Sequence, residues 1–169
     1  MSTDRVPSCD VWELSRRRGT VQGELAVSNA PRLAAALADA EGTLRYRLTG
    51  RVDELGRPAA TLDMHGTVRA RCDRCGGAVD LPIDEQAQFF FVADERQLDE
   101  LPIDESAEEP LLGSRRFDLA ALLEDQAILA LPISPRHDRC AGPAEVDDKL
   151  AGETRRPFDA LAALKKSRR

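Results

Sequence analysis

The chain has 169 residues, a net charge of −6, four cysteines and two histidines. This length fits one domain with its own core and leaves room for an appended tail. No apolar run reaches the roughly 20 residues of a membrane-spanning helix, and the N-terminus lacks the pattern of a secretory signal. We therefore expect a cytoplasmic protein without a membrane partner, in which cysteines are more often metal-bound, reactive or buried than disulfide-paired.

The first part of the chain predicts a sheet. Cys9 lies near a start that we expect to be mobile, where it is unpaired and inert, and residues 19–27 predict a short strand. A helix is expected over residues 28–42, with Ser28 or Asn29 as its N-cap. Alternating apolar residues predict further strands over residues 43–53, 60–71 and 78–94. Short connections between these strands favour a hairpin-rich antiparallel sheet, either open or barrel-like.

The pattern changes after the fourth strand. Residues 80–109 contain eleven acids against one base, and we expect an exposed acidic loop over residues 93–116. The clearest helix is predicted near residues 118–131, with Asp118 as its N-cap. A short basic helix is expected near the C-terminus. The predicted organisation is one α+β domain over residues 1–140, followed by a linker and a basic tail over residues 141–169.

Two pairs of potential metal ligands have the same spacing. Cys72 and Cys75 are separated by two residues, as are His137 and Cys140. Zinc prefers four thiolate or imidazole ligands in a tetrahedron, so these residues predict a zinc site that joins the sheet to the loop after the main helix. Free thiols in a turn are one alternative. A thiol redox site is another, although its C-x-x-C usually begins a helix and does not join two strands.

Arginines favour one face of the predicted hairpin. Strand parity places Arg45, Arg47, Arg51, His65, Arg69 and Arg71 on its outward side. Arginine forks bind phosphate, so this face is either an RNA-binding surface or a solvated face that Asp53 and Asp63 partly neutralise. The candidate RNA-binding residues are Arg45, Arg47, Arg69, Arg71 and Arg74, together with Lys165, Lys166, Arg168 and Arg169 in the tail. The net acidity neither excludes nor proves RNA binding, because the charge is polarised along the chain.

Several segments together resemble the YceD family. These are RCDRC after a hairpin, FDLAALLEDQAILALPISPRHDRC after an acidic loop, and RPFDALAALKKSRR at the end, so the resemblance covers about residues 20–169. The motif positions that it carries over are Cys72, Arg74, Cys75, Glu124, Asp125, His137 and Cys140. Gln126 departs from the family pattern, in which an acid commonly follows the Glu–Asp pair, and this departure counts against a metal or catalytic role for that acidic group. From the residues alone, we expect residues 124–126 to form a solvated helix face.

The resemblance implies a non-enzymatic factor that promotes synthesis, processing or accumulation of large-subunit (23S) ribosomal RNA. The expected partner is that RNA or a pre-ribosomal particle. An alternative is a protein–protein adaptor that presents the acidic loop and the basic tail to ribosomal proteins or to an RNA-processing factor. The residues themselves contain no convincing catalytic grouping, so we expect no enzyme activity.

Overall fold

The protein is described by a computed structural model that covers residues 6–101 and 108–140. Within these residues the fold is α+β, with one sheet and four α-helices. The strands are β1 (Thr20–Ala26), β2 (Thr43–Val52), β3 (Pro58–Arg71), β4 (Ala78–Val92) and β5 (Glu108–Leu112). The helices are α1 (Val11–Arg17), α2 (Pro31–Ala36), α3 (Glu95–Asp99) and α4 (Leu119–Leu129). None of these helices is long and apolar enough to cross a bilayer.

The sheet is mixed and open, so the prediction of a purely antiparallel sheet is wrong. Its order is β1-β2-β3-β4-β5, in which the first four strands are antiparallel neighbours and β5 pairs with β4 in parallel. It does not close into a barrel. A parallel pair needs a crossover of about a dozen residues, and the acidic segment between β4 and β5 is long enough to provide one. The loop predicted over residues 93–116 therefore contains α3 and β5.

One face of the sheet carries the main core, as the alternating pattern predicted. Leu44, Tyr46 and Leu48 are buried in β2, whereas Arg45 and Arg47 are exposed between them. The same alternation continues in β3. Helices α1, α2 and α4 contribute to this core, whose largest fully buried side chains include Leu25, Leu33, Leu62, Met64, Phe89, Leu119 and Leu123. Opposite this face, α3 covers a smaller cluster formed by Ala59, Phe90 and Val92.

The N-terminal segment is ordered from Val6 onward, so the prediction of a mobile start is wrong for the described part. Asp10 caps α1, since its carboxylate accepts hydrogen bonds from the N–H groups of Trp12 and Glu13 at 3.0 and 3.1 Å. The backbones of Cys9 and Phe117 exchange two hydrogen bonds of 3.2 and 2.9 Å. Because α1 has only two turns, its apolar residues give too weak a periodic signal for prediction.

Helix α1 packs directly on the backbone of β2. A Cβ atom at Gly50 would lie 2.3 Å from the carbonyl oxygen of Leu14, so only glycine allows this approach. The N–H of Gly50 also donates to the carbonyl of Gly19 at 2.9 Å. Gly50 thus determines how closely the N-terminal helix and the sheet pack.

We expect Gly50→Ala to lower the free energy of unfolding by about 2 kcal/mol, because α1 must move away from β2 to admit a methyl group. Gly19→Ala is the matched control, since its Cβ would lie at an ordinary 3.4 Å from Leu14 Cδ1. Urea unfolding at equilibrium measures both variants. Equal losses in the two variants would contradict the proposed close approach.

Candidate metal centre

The first half of the candidate centre is the turn between β3 and β4. The N–H of Cys72 donates to the carbonyl of Gly77, and the N–H of Gly76 donates to the carbonyl of Cys72, both at 2.8 Å. Gly76 has a φ of 74°, a left-handed conformation that glycine adopts without strain. These features fold the chain tightly enough for the two thiols of this turn, on Cys72 and Cys75, to face the same point.

The second half is the segment over residues 131–140, which follows α4. The N–H of Asp73 donates to the carbonyl of Pro135 at 2.9 Å, and the hydroxyl of Ser134 donates to the Asp73 carboxylate at 2.6 Å. These bonds attach the segment to the turn. They bring His137 and Cys140 beside the two thiols.

The four ligand atoms lie within 4.8 Å of one another. We call these residues, Cys72, Cys75, His137 and Cys140, the Cys3His cluster. The sulfurs of Cys72 and Cys140 are 3.7 Å apart, and Cys75 Sγ lies 3.4 Å from His137 Nδ1. Zinc–sulfur bonds of about 2.3 Å and zinc–nitrogen bonds of about 2.0 Å give tetrahedral edges of about 3.8 and 3.5 Å. The donor set and these two separations therefore fit a tetrahedral metal ion.

The imidazole of His137 is oriented for metal binding. Its Nε2 lies 2.8 Å from the carbonyl oxygen of Ala78. Because a carbonyl can only accept, Nε2 donates its proton there, and in the neutral imidazole Nδ1 then has a lone pair facing the thiols. Metal-binding histidines usually fix their tautomer in this way. The sequence could not reveal Ala78 as this partner, since a backbone carbonyl has no residue signature.

The electrostatic environment of the cluster favours ionisation of one thiol but opposes ionisation of all three. Burial disfavours ionisation of Cys72, but backbone N–H groups, including those of His137 and Cys75, lower its pKa to about 5. Burial and the neighbouring Cys72 sulfur raise the pKa of Cys140. Three thiolates at this separation repel one another. A cation is the species that would stabilise all three, so the site could hold a metal ion.

The predicted basic face of the hairpin is partly neutralised, because two of its arginines pair with acids from elsewhere in the chain. Arg69 pairs with Asp39 at 2.5 Å and with Glu41 at 3.7 Å. Arg51 pairs with Glu108 at 2.6 Å. Asp53, one of the two acids expected to neutralise this face, pairs with Arg57.

Other candidate residues of this face have separate surroundings. His65, predicted as a solvated residue, pairs with Asp84 at 2.7 Å. Arg45 and Arg47 remain exposed on the hairpin, as do Arg71 and Arg74 beside the metal centre. The tail candidates Lys165, Lys166, Arg168 and Arg169 lie outside the described residues.

A known protein family matches the region of the chain that contains this centre. The family model described as "Large ribosomal RNA subunit accumulation protein YceD" matches residues 60–165, which is more than half of the chain. The chain belongs to the YceD family. No solved structure matches it. The matched region includes all four residues of the Cys3His cluster, whereas α1, β1 and β2 precede it.

The Glu–Asp pair of this YceD-family chain has a structural position that the sequence did not predict. Glu124 and Gln126 are each only 7% exposed, so the expectation of a solvated face is wrong for these two residues. The Glu124 carboxylate accepts hydrogen bonds from the N–H groups of Arg32 and Leu33 at 2.6 and 3.1 Å. Arg32 also pairs with Asp125 at 2.5 Å. The pair thus attaches α4 to the first turn of α2.

Glu124 acts as a cap supplied by another helix. The N-cap position of α2 is Ala30, which offers no side-chain acceptor, and not the predicted Ser28 or Asn29. Burial opposes ionisation of Glu124, but the N–H groups of Leu33 and Arg32 and the Arg32 guanidinium outweigh it and lower its pKa. No local sequence signal identified Glu124 as this acceptor, because it lies 92 residues after Arg32 in the chain.

At neutral pH we expect Glu124→Gln to lower the free energy of unfolding by about 2 kcal/mol, because charged hydrogen bonds at the start of α2 are lost. Since the folded pKa of Glu124 is lowered, its stabilisation is complete above the unfolded value of 4.5 and disappears as the pH falls through the folded pKa. Urea unfolding across this range should show the two proteins converging in acid.

Asp125→Asn is the control for this measurement. The Asp125 side chain is 50% exposed, so its pair with Arg32 should contribute less than about 1 kcal/mol. A difference between wild type and Glu124→Gln that is independent of pH would contradict the role assigned to the Glu124 carboxylate.

Proposed function

We propose that this protein is a non-enzymatic cytoplasmic factor that promotes synthesis, processing or accumulation of large-subunit ribosomal RNA. In this proposal it acts by binding that RNA or a pre-ribosomal particle. The observation that carries the proposal is the family match over residues 60–165, whose description names accumulation of this RNA. The exposed arginines of the matched region support a polyanionic partner.

We also propose that the Cys3His cluster holds zinc. Three thiolates and one imidazole form a ligand set that zinc commonly occupies in structural sites, and hard cations such as magnesium prefer oxygen ligands. When bound, the ion would supply the positive charge that the three thiolates lack. Cys72 and Cys75 would hold it from the sheet, and His137 and Cys140 from the segment after α4.

A closed ligand set supports a structural role for this metal. Catalytic zinc sites keep one position for water or substrate, whereas four protein ligands fill the tetrahedron. The cluster therefore offers no position for a reacting molecule. This property agrees with the proposal that the protein does not catalyse a reaction.

A thiol redox role is less consistent with the position of Cys72. Its lowered pKa suits both a redox thiol and a metal ligand. Redox thiols are partly exposed, however, and Cys72 is only 1% exposed. The Cys72–Cys75 turn also joins two strands and does not begin a helix. Its geometry is better suited to holding an ion than to exchanging disulfides with a substrate.

Elemental analysis of protein purified without chelator tests the zinc proposal. We expect about one zinc per chain, and Cys140→Ser should reduce this content by removing one of four ligands. Cys9→Ser is the control, since Cys9 pairs with the Phe117 backbone, outside the cluster, and should leave the content unchanged. A folded wild-type protein with less than roughly a tenth of an equivalent would contradict a zinc-dependent structural site.

Depletion of the protein in its own cells tests the functional proposal. We expect the ratio of large-subunit to small-subunit ribosomal RNA to fall, and re-expression of the wild type to restore it. In parallel, the purified chain should bind large-subunit RNA with an affinity that falls as salt rises. An unchanged RNA ratio would contradict the function. Partners that remain bound after nuclease treatment, without RNA binding by the chain itself, would instead indicate the protein–protein adaptor.

A further inference from the structure

An arginine directly precedes each residue of the Cys3His cluster. The two halves of the cluster are RCDRC over residues 71–75 and RHDRC over residues 136–140, which are identical at four of five positions. The four arginines that precede the ligands, here called the cluster arginines, are Arg71, Arg74, Arg136 and Arg139. The same pattern therefore reaches one point of the surface from two distant parts of the chain.

The cluster arginines are close together in space. The ligand atoms lie within 4.8 Å of one another, although Cys72 and Cys140 are 68 residues apart in sequence. Each arginine is adjacent in sequence to a ligand, and neighbouring Cα atoms are about 3.8 Å apart. The backbone positions that carry the four arginines thus lie around a single centre. Only the folded arrangement brings the pair from residues 71–75 beside the pair from residues 136–140.

The cluster arginines are also available to a ligand. All four are exposed, and none forms an ion pair within the described residues. Arg136 does donate a hydrogen bond of 3.0 Å to the Ser134 hydroxyl. On the hairpin face, by contrast, Arg51 and Arg69 are already paired with carboxylates. An incoming phosphate would have to compete with those carboxylates, but not with any ion pair at the cluster.

The arginines outnumber the negative charges within the two five-residue motifs. Asp73 and Asp138 are interleaved with the four arginines, and the Asp73 carboxylate accepts the Ser134 hydroxyl. Three thiolates with one divalent cation carry a single negative charge, so the arginines still exceed the negative groups. Arginine also binds phosphate through a planar fork that matches two phosphate oxygens. This geometric match adds to the attraction between opposite charges.

We propose that Arg71, Arg74, Arg136 and Arg139 form a binding surface for the phosphate backbone of ribosomal RNA. This proposal rests on the proposed function and assigns its RNA contact to the rim of the Cys3His cluster. The surface exists only when residues 131–140 are attached to the turn after β3. The aromatic side chains that would stack on bases are not among the residues of this rim, so the contact is expected to read backbone charge.

The test replaces all four cluster arginines by glutamine in the full-length chain: Arg71→Gln, Arg74→Gln, Arg136→Gln and Arg139→Gln. The matched control removes four exposed arginines elsewhere: Arg16→Gln, Arg96→Gln, Arg115→Gln and Arg116→Gln. Binding to a single-stranded fragment of large-subunit RNA is measured from 50 to 200 mM salt. Metal content and the urea unfolding midpoint of both variants are measured alongside, to establish that each remains folded with its cluster intact.

Single-stranded RNA gives a salt slope of about −0.7 per phosphate contact, so four contacts contribute about −2.8 and roughly a fifty-fold loss of affinity over this salt range. We expect the cluster variant to lose that part of the slope and the control to keep it. The proposal is overturned if the cluster variant keeps the wild-type slope, or if the control loses as much. In those cases RNA binding by the wild type still stands, whereas a wild-type chain that binds no RNA overturns the proposed function as well.

Discussion

The attachment of residues 131–140 to the turn after β3 is the constraint on which the functional surface depends. These ten residues contain no helix or strand, so fixing them costs on the order of 10 kcal/mol of conformational entropy. The two hydrogen bonds that involve Asp73 each stabilise the attached segment by about 1 kcal/mol. A structural zinc ion contributes about 10–16 kcal/mol in small domains, which is the scale needed to offset the difference. If the cluster holds zinc as proposed, its four ligands would supply the larger part of the free energy that fixes this segment.

Local patterns predicted the elements whose residues interact with their near neighbours. The alternation in β2 and β3 gave the buried face correctly, because a half-buried strand repeats every two residues. Asp118 caps α4 as expected, through a 3.0 Å bond to the N–H of Ala121. The ligand spacing also gave the Cys3His cluster, since thiol and imidazole pairs two residues apart suit a tight turn.

Partners distant in sequence account for most of what the sequence did not reveal. Parity placed Arg69 on the outward face, but its neutralising acids, Asp39 and Glu41, belong to the connection before β2. Glu124 is polar in a helix whose other buried residues are mainly apolar, and only the approach of α2 explains its burial. Strand β5 was not predicted because the segment before it is highly charged and the strand itself contains only a short apolar stretch.

In the proposed RNA complex, the acids of α3 would lie far from the cluster arginines, whereas Asp80 and Asp84 of β4 lie nearer to them. The cluster lies next to Ala78 at one end of this strand, whereas the acids of α3 follow Val92 at the other. At about 3.3 Å per residue, the 15 residues of the strand separate these ends by about 45 Å. Physiological salt screens charges over about 8 Å, so the acids of α3 scarcely weaken attraction at the cluster. They would instead repel any RNA that approached the far end. If the proposed contact exists, the position of α3 would favour an orientation in which the cluster arginines face the RNA.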